Sequence, residues 1–196
     1  QACGDIGPGR LIEPDKIINL AAESHVDNSI NNPSEFILNN VNSIFNFIEE
    51  VRNYIKNNKV HKNFIFHHIS TDEVYGHLNL NDPPFTEESP IEPRSPYSAS
   101  KASADILAAS YHRTYGLDII TTRCCNNYGP NQFPEKVIPL FATNLIENRK
   151  MPIYGDGKNY RDWLHVSDHC RGIALALIRG TSGEVYNFGG GLELSN

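Results

Sequence analysis

Four short apolar runs, separated by stretches long enough to hold a helix, constrain the fold of this chain more than any other feature. They are "KIINLAAE" (16–23), "FIFHHIS" (64–70), "LDIITTRCC" (117–125) and "EVYNFG" (184–189). A continuous apolar run of this length suits a strand buried on both faces, as strands are in a parallel sheet. Between the first two runs, apolar residues recur at Ile37, Val41, Ile44, Ile48, Val51 and Ile55. These steps of three and four predict one face of a helix. Asn32 is its expected N-cap, Pro33 its first residue and Glu35 the completing member of the cap. A second helix is expected from Ser95-Pro96 to about Tyr115, stopped by Gly116. Two more are expected, one beginning near Pro139 and one running from about Val166 to Ile178. Strands and helices alternating in this way predict an α/β fold built on a doubly wound parallel sheet.

Other stretches limit what the chain can do. The segment "NDPPFTEESPIEPRSP" (81–96) is too rich in proline for regular structure, and long loops of this kind are often functional lids. "GDIGPGR" (4–10) has the glycines of a phosphate-cradling loop but not its setting: only three residues precede it, Pro8 removes a backbone donor, and a strand comes next. It reads as a flexible turn. The formal charge of −6 gives no reason to expect a nucleic-acid partner. No apolar run approaches the roughly 18–20 residues that cross a bilayer, and no signal peptide opens the chain, so no membrane partner is expected. The cysteines, Cys3, Cys124, Cys125 and Cys170, lack CxxC spacing and are expected as reduced thiols in the cytoplasm. Neither the adjacent His67 and His68 nor the His165/His169 pair has a third ligand at a convincing spacing, so no metal is expected. With 196 residues the chain can hold one domain plus part of another, and its Gln start and "GGGLELSN" end suggest a piece of a longer protein.

Chemistry concentrates in two places. "HHISTDEVYG" (67–76) sets two adjacent carboxylates, Asp72 and Glu73, at the end of a predicted strand. Close carboxylates resist being ionised together, which drives their pKa values apart and leaves one acid beside one base. "SPYSASKASAD" (95–105) puts Tyr97 and Lys101 four apart, on one face of a predicted helix. An ammonium near a phenol is expected to lower the phenol's pKa toward neutrality, making it a usable base.

These residues carry a resemblance. "LAAESHVDNSI" (20–30), "STDEVYG" (70–76), "PYSASKASAD" (96–105), "RCCNNYGPNQFPEKVIPLF" (123–141), "PIYGDGKNYRDWLHVSDH" (152–169) and "VYNFGGG" (185–191) are similar, in this order, to the nucleotide-sugar 4,6-dehydratases. These belong to the extended short-chain dehydrogenases/reductases. The resemblance implies a Rossmann-like doubly wound sheet and part of a smaller substrate-binding lobe, with the N-terminal GxxGxxG unit not present. Residues 1–130 would form the partial NAD-binding domain, and 131–196 the partial nucleotide-sugar lobe interleaved with the last Rossmann elements. The cofactor would be NAD, the assembly a homodimer, and the substrate a nucleoside-diphosphate glucose, dTDP-glucose ahead of UDP-glucose.

By the same resemblance, Tyr97 with Lys101 takes the proton of the sugar 4-hydroxyl during transient oxidation at C4. Glu73 then removes the C5 proton, Asp72 protonates the departing 6-hydroxyl, and hydride returns to C6. Thr71 would hydrogen-bond the 4-oxygen. Asp5, Ile6, Leu20, Ala21, Ala22, Ser24, Asn39 and Asn127 would line the cofactor together with Tyr97 and Lys101. Ser24, Thr71, Asn126, Lys136, Val137, Pro152, Ile153, Tyr154, Arg161 and Asn187 would line the substrate, Arg161 on the diphosphate. Two alternatives stay open. A 4-epimerase shares YxxxK but has no use for the acid pair, and a non-catalytic module could have descended from the same family.

Overall fold

The computed structural model describes residues 14–58, 64–79, 81–152, 157, 160–191 and 193–195. Four strands, β1 (Lys16–Asn19), β2 (Ile65–Thr71), β3 (Ile119–Cys124) and β6 (Val185–Phe188), pair side by side in that order. All three pairings are parallel. A smaller three-stranded sheet joins β4 (Asn126–Tyr128), β5 (Tyr160–His165) and β7 (Glu193–Ser195), with β7 antiparallel. The helices are α1 (Val26–Asn31), α2 (Pro33–Phe36), α3 (Ser43–Asn58), α4 (Pro96–Tyr115), α5 (Val137–Ile146) and α6 (Val166–Arg179). Among the described residues, no helix is long and apolar enough to cross a membrane.

The core lies between one face of the four-stranded sheet and the helices α3 and α4. There Ile44, Ile48 and Val51 meet Phe66 and Ile119 from the strands and Ala104 and Ala108 from α4. Alternation along β2 sends Phe66 and His68 to this face and His67 to the other, where α6 packs against β3. α4 begins where the sequence places it. The Ser95 hydroxyl accepts from Ser98 N (3.0 Å), and Ser98 returns the bond to Ser95 N (2.9 Å). It ends at Gly116, whose φ of +68° is a conformation that residues with a side chain rarely adopt.

Two expectations about the first elements need correction. β1 is four residues long and stops at Asn19, so 20–23 leave the sheet at its C-terminal edge, where a ligand would lie. The helix after it is not continuous. α1 precedes it, the Asn32 side chain makes no capping bond to the backbone, and residues Ile37–Asn42 form a π turn. A π turn holds one more residue than an α turn, so it shifts the inward face by one position. Between Pro33 and Asn42 the buried residues are Phe36 and Asn40, while Ile37 is 46% exposed.

Candidate active site

Strand β2 delivers Thr71 to the C-terminal edge of the sheet, and a single 3-10 turn, Asp72–Tyr75, follows. The extended Thr71 caps this turn, its hydroxyl accepting from Glu73 N and donating to Asp72 Oδ1 (both 3.3 Å). Gly76 closes the turn with φ +98°, and a Cβ there would lie 2.4 Å from the carbonyl oxygen of Glu92. The opening turns of α4 present Tyr97 and Lys101 to the same edge. Both are buried, and Lys101 Nζ donates to Ile69 O on β2 at 2.7 Å.

The acid pair is electrically asymmetric. Burial and then the charge of Glu73 push the Asp72 carboxyl up to about 6, with Asp162 adding to the rise. Burial also raises Glu73, but the cations Arg161 and Lys136 oppose the rise. Both carboxyls are thus raised by burial, and Glu73 is the one whose rise cations oppose. Tyr97 departs from expectation. Burial, followed by the charge of Glu73, holds its phenol well above the ordinary value, against the pull of its hydrogen bond with Thr71. Lys101 is not among the groups that act on this phenol; its ammonium donates to the Ile69 carbonyl, and burial lowers its own pKa. Tyr97 here is a protonated phenol. Cys124, beside Tyr97 and Lys101, is a thiol pushed up to about 11, chiefly by burial.

A cavity of about 230 Å³ opens next to Lys101, with Asn19, Ala21, Ala22, Asn39 and His68 among its walls. Three of the residues expected at the cofactor, Ala21, Ala22 and Asn39, therefore share one pocket with Lys101. Asn40, turned inward by the π turn, braces the loop that forms this wall. Its amide oxygen accepts from Glu23 N (2.8 Å), and its Nδ2 donates to Glu23 O (3.0 Å) and Ser100 Oγ (2.9 Å). Leu20 is 61% exposed and is not among the lining residues. Ser24 lies further along, where Lys136 Nζ donates to its carbonyl oxygen at 2.9 Å. The buried His68 Nδ1 in the cavity wall has no partner, nor does Asn127 Oδ1 near Cys124. An orphaned ring nitrogen of His68 and the Lys101 ammonium beside an open volume fit a polar ligand.

The other expected substrate residues are more scattered. Asn126 and Asn187 are half-buried, on β4 and β6. Lys136 and Val137 open α5, Arg161 is exposed on β5, and Pro152 is exposed outside regular structure. Asp5, Ile6, Ile153 and Tyr154 lie outside the described residues. Sequence reasoning missed the buried polar residues behind the site: Asn40, His68, Asp105 and Arg123. Asp105 had a readable signal, because it stands four residues after Lys101 on the same helical face.

A sequence profile described as GDP-mannose 4,6 dehydratase matches residues 10–196. The chain belongs to that family. Among individual members, the dTDP-glucose 4,6-dehydratase of Streptomyces antibioticus is 50% identical over 98% of this chain and 56% of its own length. The solved dTDP-glucose 4,6-dehydratase DesIV of Streptomyces venezuelae, with NAD and TYD bound, superposes with a TM-score of 0.84. It is 53% identical over 93% of this chain and 54% of that one. The UDP-glucuronic acid 4-epimerase of Bacillus cereus, solved with UDP-glucuronic acid and NAD, has a TM-score of 0.81. It is 29% identical over 92% of this chain and 55% of that one. The chain thus spans about half the length of the relatives it matches. Dehydratase and epimerase share this α/β fold, so the fold alone does not choose between their reactions.

Proposed function

We propose that this chain carries the dehydration centre of an NAD-dependent 4,6-dehydratase acting on a nucleoside-diphosphate glucose, dTDP-glucose first among candidates. The observation that carries this reading is the acid pair at the sheet edge: a half-buried Asp72 whose carboxyl is raised to about 6, next to a Glu73 whose own rise the charges of Arg161 and Lys136 oppose. An epimerase has no need of it. In this reading Tyr97, hydrogen-bonded to Thr71, moves the proton of the sugar 4-hydroxyl. Lys101 fixes the near end of the cofactor cavity. Glu73 removes the proton at C5, acidified by the neighbouring ketone, and Asp72 gives its proton to the leaving 6-hydroxyl, so that water departs. Ala21, Ala22, Asn39 and Lys101 would hold NAD, which would accept the hydride from C4 and return it to C6. The Tyr97 phenol must lose its proton more readily with substrate and cofactor in place than the protein alone allows.

Residues 131–196, with Asn126, then contribute the nucleotide-sugar side of the site through Lys136, Val137, Pro152, Ile153, Tyr154, Arg161 and Asn187. Asp5 and Ile6 would meet the adenine end, and Ser24 and Asn127 would lie near the nicotinamide. The 4-keto-6-deoxy product would feed deoxysugar synthesis, rhamnose included. A cytoplasmic setting is supported by the free thiols Cys124, Cys125 and Cys170.

The test is product formation. The chain, and a version carrying the family's glycine-loop unit ahead of it, are incubated with NAD and either dTDP-glucose or UDP-glucose. A 4-keto-6-deoxy sugar from dTDP-glucose is expected from the extended version. No such product from either sugar overturns the reading.

A further inference from the structure

Behind the acid pair runs a chain of buried hydrogen bonds whose direction cannot be reversed. It starts at Asp105, on α4. Burial opposes ionisation of this carboxyl, yet His68 and Arg123 outweigh burial and hold it below its ordinary value. One carboxylate oxygen contacts His68 Nε2 at 3.1 Å, and the other accepts from Arg123 Nε at 2.9 Å. A guanidinium has donors only. Arg123 spends another on the hydroxyl oxygen of Tyr75, donating from Nη1 at 2.7 Å, and its charge sits 4.8 Å from the centre of the Tyr75 ring. The Tyr75 oxygen therefore accepts from Arg123 and has one proton left to give. It donates that proton to Asn187 Oδ1 at 2.8 Å.

We propose that Tyr75 and Arg123 are positioning residues that lock the Asn187 amide with its oxygen inward and its NH2 toward the ligand. The site then offers only a donor at this point, suited to an acceptor such as a phosphoryl oxygen. The proposal rests on the reading of Asn187 as a nucleotide-sugar contact. The reversed amide would aim two donors at the Tyr75 oxygen and leave the phenol proton buried without an acceptor. A buried donor left without an acceptor is costly enough to hold the orientation. The Asn187 backbone is fixed as well. It stands opposite Arg123 in the parallel β3–β6 register, and its N–H donates to Glu87 Oε1 at 2.8 Å. Half-buried, its side chain faces the sheet edge with one half of its hydrogen-bonding capacity already committed.

The experiment uses 15N-labelled protein, with the Asn187 side-chain NH2 signals assigned by their loss in Asn187→Asp. In Tyr75→Phe those signals are expected to move before any ligand is added, because the amide is released; unchanged signals overturn the proposal. Thymidine diphosphate is then the probe. Its affinity is expected to fall roughly tenfold in Tyr75→Phe, about the loss of one good hydrogen bond, while thymidine, without phosphates, binds unchanged. Equal losses for both ligands would overturn the phosphoryl assignment. Asn187→Asp, which can only accept, should bind thymidine diphosphate more weakly than Asn187→Ala; the reverse order also overturns it. If the unaltered protein ignores thymidine diphosphate, the nucleotide-sugar reading fails, and the ligand-free NH2 signals still decide whether Tyr75 positions Asn187.

Discussion

Asp72 and Glu73 are adjacent in sequence and chemically alike, yet their surroundings give them different work. Asp72 has a higher proton affinity in the fold (about 6) than its ordinary value of 3.8. The folded state therefore gains stability as pH falls through 6 toward 3.8, and Asp72 costs stability above that window. The cost at neutral pH is on the order of 3 kcal/mol. Asp72→Asn is accordingly expected to raise the melting temperature at pH 7–8 and to leave it unchanged below pH 4, read by thermal denaturation across pH. In the dehydratase reading the same variant should slow loss of water by roughly 10²–10⁴-fold, and more than it slows the first oxidation. Equal slowing of both steps, by single-turnover kinetics, would deny Asp72 the role of acid. Stability gained while activity is lost is the usual mark of a group kept for chemistry. At this scale the sequence was informative because the order Thr71, Asp72, Glu73 and the spacing Tyr97 to Lys101 are local facts. The state of Tyr97 was not readable: its phenol is governed by burial and by Glu73, both products of tertiary packing.

Among the elements, the four strands of the main sheet and the helix α4 were legible. Long apolar runs, a serine before a proline and a glycine stop each carry their meaning locally. The small sheet was not, since "NNY" and "ELS" are too short to show any period. The π turn was hidden for a different reason. Ile37 and Val41 lie in phase with Ile44 and Ile48, so the pattern alone reads as one unbroken helix. The structure instead turns Phe36 and Asn40 inward, and Asn40 then holds both backbone groups of Glu23 and the Ser100 hydroxyl. Asn40→Ala is expected to cost about 2–3 kcal/mol in urea unfolding, because it strands buried polar groups. It should also loosen the wall made by Ala21 and Ala22, seen as faster amide hydrogen exchange at 21–24. An unfolding cost without faster exchange there would make Asn40 a packing residue only.

Across the whole molecule, the apolar stripe of α3 is committed to the core and is not open to a partner. Leu38 (58% exposed), Phe45 (45%) and Ile106 (58%) remain exposed on the π turn, α3 and α4, three segments that pack together. Exposed apolar groups of this size favour a partner surface, and a second copy is the simplest. If a second copy covers this surface, the double variant Phe45→Glu, Ile106→Glu is expected to sediment more slowly than the unaltered protein. An unchanged sedimentation coefficient would place the interface elsewhere. The proline-rich segment 81–96 has a reach of a different kind. Its Phe85 stacks on Tyr75 and its Glu92 N–H bonds to Val74 O, while Glu87 reaches across to Asn187 N, one hundred positions later in the chain. Arg161, which favours the ionised Glu73, also comes from late in the chain. During synthesis, then, a nascent chain extended only to residue 150 owns Thr71, the acid pair, Tyr97, Lys101 and Lys136 but not Arg161, the first cation on Glu73, nor Asn187. The ribosome finishes the parts of this site well before it finishes their division of labour.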